Sequence, residues 1–211
     1  MANHFDDART TIVADASAKL QEFSFDFQDD LEVLGVTVDG RAAGFRAEPA
    51  TPELSDDPAV TQPMKLVVVP HPSTRPKAGR EFTVAVRYRG TPQPITDPDT
   101  SIEGWIQACY PLNPPRTCDG AFVVNEPMGA QSWFPSNNSP TDKATFDTII
   151  TAPSAKTALG VGELVSRSDN SDGTSAWHWR EDDPSATYLT TATVGDFTYT
   201  EGSMVEMSTG R

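Results

Sequence analysis

Apolar and polar residues alternate along most of this chain, and the alternation predicts β-strands. In residues 22–28 the side chains of Phe23, Phe25 and Phe27 occupy every second position, with polar residues between them. A period of two is typical of a strand that buries one face. Further strands are predicted at residues 12–18, 34–38, 66–69, 82–88, 144–150 and 175–180, and in the threonine-, valine- and aromatic-rich residues 188–199.

The turns and the missing helix signal set the fold class. Asp39-Gly40 follows one predicted strand and is a dipeptide that accepts positive φ in a tight hairpin, so Phe45 and Ala47 are expected to begin the return strand. No stretch repeats apolar residues at helical spacing over three turns. The chain is therefore predicted to be all-β, a β-sandwich of about a dozen strands. One domain over residues 1–211 is preferred to two domains divided near residue 100.

Two proline-rich stretches, residues 48–63 and 91–117, are expected to be long connections. The second contains Pro92, Pro94, Pro98 and three further prolines. Loops longer than about 15 residues usually carry function or move. This one leads directly into residues 125–147, so it is expected to frame a site.

The net charge of the chain restricts the classes of partner that it can bind. Sixteen basic and thirty acidic residues leave a formal net charge of −14, which argues against nucleic acid and anionic membranes as partners because their phosphates would be repelled. No apolar run approaches the roughly 20 residues that cross a bilayer. The first residues lack the basic and apolar regions of a signal peptide. The protein is expected to be cytosolic, or to be secreted by a segment outside this sequence.

Cysteine and histidine offer little metal chemistry. Cys109 and Cys118 are close enough in sequence to form a disulfide, and two reduced thiols fit the spacing equally well. A zinc site would need two more cysteine or histidine ligands at suitable spacing. None of His4, His71 and His178 lies in a His-x-x-x-His or His-Glu-x-x-His arrangement, and His178 is expected to be an exposed polar residue between two tryptophans.

Residues 125–147 carry the most specific pattern, which reads Asn-Glu-Pro-Met-Gly-Ala-Gln-Ser-Trp-Phe-Pro-Ser-Asn-Asn-Ser-Pro-Thr-Asp-Lys-Ala-Thr-Phe-Asp. It resembles the signature of the N-terminal domain of aminopeptidase N type zinc peptidases (gluzincins), here a bacterial member, in which Glu or Gln precedes (Phe/Tyr)-Pro-Cys-x-Asp-x-Pro-x-x-Lys-Ala-x-(Phe/Tyr). Residues 16–27, 33–40, 78–90 and 177–197 resemble other strands of that family in the same order. The resemblance thus covers nearly the whole chain.

The resemblance implies a saddle-shaped antiparallel β-sandwich that packs against a thermolysin-like catalytic domain. One loop of that sandwich places a Gln or Glu against the free α-amine of the substrate, eight positions before the Phe of the Phe-Pro pair. Here that Phe is Phe134, so the corresponding residue is Glu126. A carboxylate can hold an ammonium group by a charge-assisted hydrogen bond. The alternative is that Glu126 is one more solvated acid among thirty.

Some positions depart from the family pattern. Gln131, Ser136 and Asn138 stand where a basic residue, Cys and Asp are common, and these changes are expected to concern packing and loop hydrogen bonds. The chain matches the family from after its first strand, and the Gly-x-Met-Glu-Asn and His-Glu-x-x-His motifs of the catalytic domain do not occur in it. We therefore expect no zinc and no turnover in this chain, with zinc in the full-length parent. The expected partners are the catalytic domain of the same polypeptide and peptides with a free N-terminus.

A second hypothesis comes from a different class of protein. Many β-sandwiches share an architecture without sharing a function. The chain would then be a stand-alone module that binds carbohydrate or protein through exposed Trp105, Trp133 or Trp177. A zinc motif downstream of this sequence would favour the first hypothesis, and glycan binding by the isolated chain would favour the second.

Overall fold

The computed structural model describes residues 4–110 and 115–198. These ranges contain fourteen strands: β1 (Phe5–Ala16), β2 (Phe23–Asp26), β3 (Glu32–Val38), β4 (Arg41–Pro49), β5 (Met64–Val69), β6 (Arg80–Gly90), β7 (Ile95–Thr96), β8 (Ile102–Tyr110), β9 (Thr117–Val124), β10 (Ala144–Pro153), β11 (Thr157–Gly160), β12 (Glu163–Asp169), β13 (Thr174–Ser185) and β14 (Ala192–Gly195). Three 3-10 turns accompany them: Pro72–Thr74, Gly129–Ser132 and Thr187–Leu189. The described part of the chain has no helix that could span a membrane.

The largest sheet has six antiparallel strands in the order β1-β6-β3-β4-β5-β2. Its inner face follows from the alternation in the sequence, because every second residue of β6 points to the same side. Val84 and Val86 of β6 are fully buried, together with Val38 of β3 and Val68 of β5. These side chains form the main core with the phenylalanines of β2 and the segment after it.

Two smaller antiparallel sheets complete the fold: β10-β13-β12, and β11-β14-β9-β8-β7. Trp177 and Trp179 of β13 form a second core, and Trp105 of β8 forms a third with two alanines. The ring of Phe5 joins the main core to the third, since it meets Tyr88 and Trp105 edge-on at centroid distances of 6.4 and 4.9 Å. The prediction of an all-β fold, a saddle-shaped antiparallel β-sandwich, is confirmed.

The predicted hairpin is also confirmed, with a small shift of its second strand. Asp39 and Gly40 have φ of 49° and 74°, which is the turn geometry that suits a two-residue hairpin. The return strand β4 begins at Arg41, four residues before Phe45. Pairing starts directly after the turn because Val38 and Arg41 face each other across it.

The prediction of one long loop over residues 91–117 is wrong. Eleven of its residues form β7 and β8, and β8 pairs with β9 from Gly104↔Val124 to Tyr110↔Thr117; residues 111–114 lie outside the described ranges. Of the described prolines, Pro92 and Pro94 stand before β7, Pro98 lies in the turn before β8 and Pro115 follows β8, where no strand N–H is needed. Residues 188–199 were likewise expected to be strand, but they contain the end of a 3-10 turn and the short β14, with Tyr199 outside the described ranges.

Cys109 and Cys118 form a disulfide that closes the β8–β9 hairpin. Reducing this bond is expected to lower the free energy of unfolding by about 2–3 kcal/mol, because the unfolded chain regains the entropy of a short closed loop. Urea unfolding of the chain with and without dithiothreitol measures the change. The Cys109→Ser/Cys118→Ser double variant is the control, since reductant should not move its midpoint; equal midpoints for the oxidised and reduced protein would contradict the prediction.

Candidate functional site

The loop between β9 and β10 is attached to the fold at its first residue, Asn125. The Asn125 side chain is buried; its Nδ2 donates to Thr190 O at 2.8 Å and to Thr190 Oγ1 at 3.1 Å. Its Oδ1 accepts a hydrogen bond from Trp133 Nε1 at 3.1 Å. Asn125 therefore ties both ends of the 125–133 segment to the 3-10 turn Thr187–Leu189 and its flank.

Glu126 follows this buried anchor and is exposed. Two further contacts hold the next residues: Met128 N donates to Glu103 Oε2 at 2.8 Å, and Asn138 Nδ2 donates to Pro127 O at 3.2 Å. The Glu126 carboxylate has no hydrogen-bond or ion-pair partner among the described residues. The backbone of the loop is fixed while this side chain is left available.

Glu126 lies at a cavity of about 460 Å³. The cavity also contains a second carboxylate, Asp26, but that group is already occupied: its Oδ1 pairs with Lys65 Nζ at 2.6 Å and its Oδ2 accepts from Asn138 N at 3.1 Å. Glu126 is therefore the acid that this cavity offers to a ligand. The lining residues are Asp26, Pro63, Glu126, Pro127, Met128, Gln131, Asn138, Pro140 and Tyr188.

The three positions that depart from the family pattern take part in the support of this loop. Ser136 exchanges two backbone hydrogen bonds with Asp26, at 2.8 and 3.2 Å. Asn138 Oδ1 accepts from Thr187 Oγ1 at 2.6 Å. Gln131 is buried and its backbone O accepts from Gln28 N at 2.9 Å. Only the contact of Asn138 is made by a side chain, since Ser136 and Gln131 bond through their backbones and their buried Oγ and Oε1 atoms have no hydrogen-bond partner among the described residues.

A buried acid lies under the loop. Glu103 of β8 is only 1% exposed. Burial raises the pKa of Glu103 to about 7; the hydrogen bond from Met128 N–H acts against this rise, and the neighbouring Asp97 carboxyl adds to it. Glu103 was not predicted from the sequence, because residues 91–117 were expected to be a loop. The local pattern gave no signal for its burial, because the apolar neighbour Ile102 is the exposed residue of the pair.

Two predictions about side-chain exposure are wrong. Trp105 and Trp177 are 7% and 5% exposed, and Trp133 is partly buried, so these rings form cores rather than a binding surface. His178 is only partly exposed, and its Nε2 lies 2.6 Å from Asp147 Oδ1. A period of two tells which residues share a strand face, but the packing of the sheets decides which face is covered.

The side chains of residues 4–110 and 115–198 include no group of three or more His, Cys, Asp or Glu that could hold a metal ion. Zinc sites in proteins need three or four such ligands. The donor set of the described residues therefore does not fit a zinc ion.

Comparison with protein families identifies the domain. Residues 57–189 match the model of the Peptidase M1 N-terminal domain, which is more than half of the chain. The chain belongs to the M1 peptidase N-terminal domain family. The Glu126 loop and its support from Glu103 and Asn138 all lie within the matched residues. No curated protein matches the chain.

Solved structures agree with the M1 N-terminal fold. A two-domain M1 zinc metallopeptidase mutant bound to L-arginine superposes with a TM-score of 0.71 at 21% identity, over 90% of this chain and 38% of that one. An M1 zinc metallopeptidase mutant from Deinococcus radiodurans bound to a Tyr-Ser-Ala substrate has a TM-score of 0.70 at 20% identity, over 90% and 37%. Native yeast LTA4 hydrolase has 0.61 at 20% identity, over 91% and 26%. The chain thus spans less than two fifths of these relatives.

Proposed function

We propose that this M1 N-terminal domain caps the substrate cleft of a zinc aminopeptidase that removes N-terminal residues from peptides. In this proposal residues 1–211 are one domain, the catalytic domain of the same polypeptide holds the zinc ion, and this chain has no turnover alone. Glu126 binds the α-ammonium group of the peptide. The observation that carries the proposal is the exposed, unpartnered Glu126 carboxylate at a cavity, on a loop with buried anchors on both sides.

The chemistry of the cavity supports an ammonium ligand. A carboxylate accepts charge-assisted hydrogen bonds from an ammonium group, and such bonds contribute about 1.5–3 kcal/mol. Asp26 cannot take this role without giving up Lys65. Because the backbone that carries Glu126 is already held in place, the ordering entropy lost when a peptide binds would come mainly from the Glu126 side chain. A free N-terminus would bind well, and an acetylated one would leave the carboxylate unpaired.

Replacing Glu126 by alanine in the full-length parent tests the proposal. We expect kcat/KM for a free-amine peptide to fall about 10- to 100-fold, mainly through KM, because the ammonium group loses its partner. Steady-state kinetics on the same peptide with a free and an acetylated N-terminus measure the preference, which the variant should largely lose.

Glu81→Ala is the matched control, because Glu81 is an exposed acid on β6 outside the cavity. Its kinetics should equal those of the wild type. If Glu126→Ala left kcat/KM for free-amine peptides unchanged, Glu126 would not contact the substrate. A parent without aminopeptidase activity would refute the function as a whole.

A further inference from the structure

The loop that carries Glu126 lies directly on β8. A Cβ atom added to Gly104 would stand 2.2 Å from Ser132 Oγ, and one added to Gly129 would stand 2.5 Å from Gly104 N. Ser132 Oγ also accepts a hydrogen bond from Trp105 N at 3.0 Å. The first part of β8 and the 3-10 turn Gly129–Ser132 are therefore in backbone contact, and β8 is the floor of the loop.

Glu103 is the β8 side chain that reaches the loop closest to Glu126. Its Oε2 accepts the N–H of Met128, two residues after Glu126, at 2.8 Å. Its Oε1 meets no N–H or O–H donor among the described residues. The Asp97 carboxyl lies beside it. Asp97 is itself fixed, because its Oδ1 accepts from Asp99 N and Ser101 N at 3.1 and 3.0 Å.

A buried carboxyl group beside another carboxyl group lowers the stability of the fold. An apolar side chain of similar size would avoid the desolvation cost of the acid. Such a side chain would also leave Met128 N–H without an acceptor, and the loop would lose its hydrogen bond to β8. The Glu103 carboxyl group is therefore unfavourable for burial but holds the loop in a defined position on β8.

We propose that Glu103 is a positioning residue that fixes the place of the Glu126 carboxylate by holding Met128 N–H against β8. This inference rests on the proposed role of Glu126 as the ammonium ligand. Glu103 does not touch the substrate, since it is buried beneath the loop. It acts through the backbone of residues 126–128, which Asn138 holds from the other side through Pro127 O.

Two substitutions separate positioning from simple packing. Glu103→Leu keeps most of the volume but removes the acceptor for Met128 N–H. Glu103→Gln keeps the acceptor, and its amide N–H can donate to Asp97. In the full-length parent we expect Glu103→Leu to raise KM for free-amine peptides about 10-fold with little change in kcat, since one buried hydrogen bond is lost. Glu103→Gln should stay within about twofold of the wild type.

A double-mutant cycle with Glu126→Ala makes the test decisive. If Glu103 acts through Glu126, then Glu103→Leu should have no further effect on KM once Glu126 is alanine. If Glu103→Leu raised KM by the same factor with glutamate and with alanine at position 126, the inference would be overturned, because a purely structural role of Glu103 does not depend on the Glu126 side chain. Equal KM values for Glu103→Leu and the wild type would overturn it as well.

The outcomes also separate this inference from the proposed function. If Glu126→Ala alone has no effect on KM, the proposed function fails and the inference fails with it. If Glu126→Ala raises KM and Glu103→Leu does not, only the inference fails. Thermal unfolding of each variant shows whether it is folded, and for an unfolded Glu103→Leu the same cycle is run with Glu103→Met.

Discussion

Replacing Gly104 by alanine is expected to lower the free energy of unfolding by about 3–4 kcal/mol, since a positive φ and a steric overlap both oppose the added methyl group. Gly104 has φ of +85°, a conformation that L side chains rarely adopt. The new Cβ would stand 2.2 Å from Ser132 Oγ and 2.7 Å from Ser132 Cβ. Ser132 cannot turn away, because it is buried and its Oγ accepts from Trp105 N.

Gly173→Ala is the matched control for this change. Gly173 has φ of +84°, and a Cβ there meets nothing within 4 Å. The control therefore carries the backbone strain without the overlap and should cost about 1–2 kcal/mol. Urea unfolding of both variants measures the two changes.

The difference between the two variants is the contribution of the contact between β8 and the 3-10 turn Gly129–Ser132. Equal destabilisation by Gly104→Ala and Gly173→Ala would show that the loop can move off β8 freely. The double variant Gly104→Ala/Ser132→Gly should recover part of the loss, because it removes the atoms that overlap. It should not recover all of it, since the hydrogen bond from Trp105 N to Ser132 Oγ is also lost.

The second large effect is a dependence of stability on pH through Glu103. A rise of the pKa of this carboxyl from 4.5 to about 7 corresponds to about 3 kcal/mol. Below pH 4.5 the group is protonated in both the folded and the unfolded chain. Between pH 4.5 and about 7 the unfolded chain has released the proton and the folded chain still holds it, so stability falls as pH rises. Above the folded pKa the loss is complete.

Glu103→Gln isolates this effect, because an amide does not titrate. We expect the stability of the variant relative to the wild type to increase by about 3 kcal/mol between pH 4 and pH 8. Carboxylates far from Glu103 contribute equally in both proteins and cancel in the comparison. Urea unfolding at several pH values measures the difference, and a difference that stays constant with pH would contradict the raised pKa.

The sequence predicted those parts of the fold that depend on local pattern. Phe23, Phe25 and Phe27 alternate with polar residues, and all three contribute to the main core. Asp39-Gly40 forms the expected hairpin, since a turn with positive φ is encoded by its own two residues. The role of Glu126 as ammonium ligand, which rests on its distance to Phe134 in a resembling motif, stays a prediction; in the structure Glu126 lies at a cavity.

The local sequence pattern did not predict strands that are flanked by prolines and fixed by long-range pairing. The prolines in residues 91–117 led to the prediction of a loop instead of β7 and β8. Prolines at the ends of a strand do not interrupt it. The pairing of β8 with β9 is set by contacts between whole strands, which a window of a few residues does not contain. The tryptophans show the same limit: Trp105 and Trp177 are buried because other sheets cover them.

By itself the sequence determined the all-β class, the strand faces and the family, because alternation, turn dipeptides and a collinear motif are local properties of the chain. Only the tertiary structure decided that Glu126 stands free while Asp26 is paired with Lys65. It also decided that Glu103 is buried under the loop beside Asp97. The physical reason is that burial and charge pairing depend on residues far apart in sequence, and these set which of thirty acids can meet a ligand.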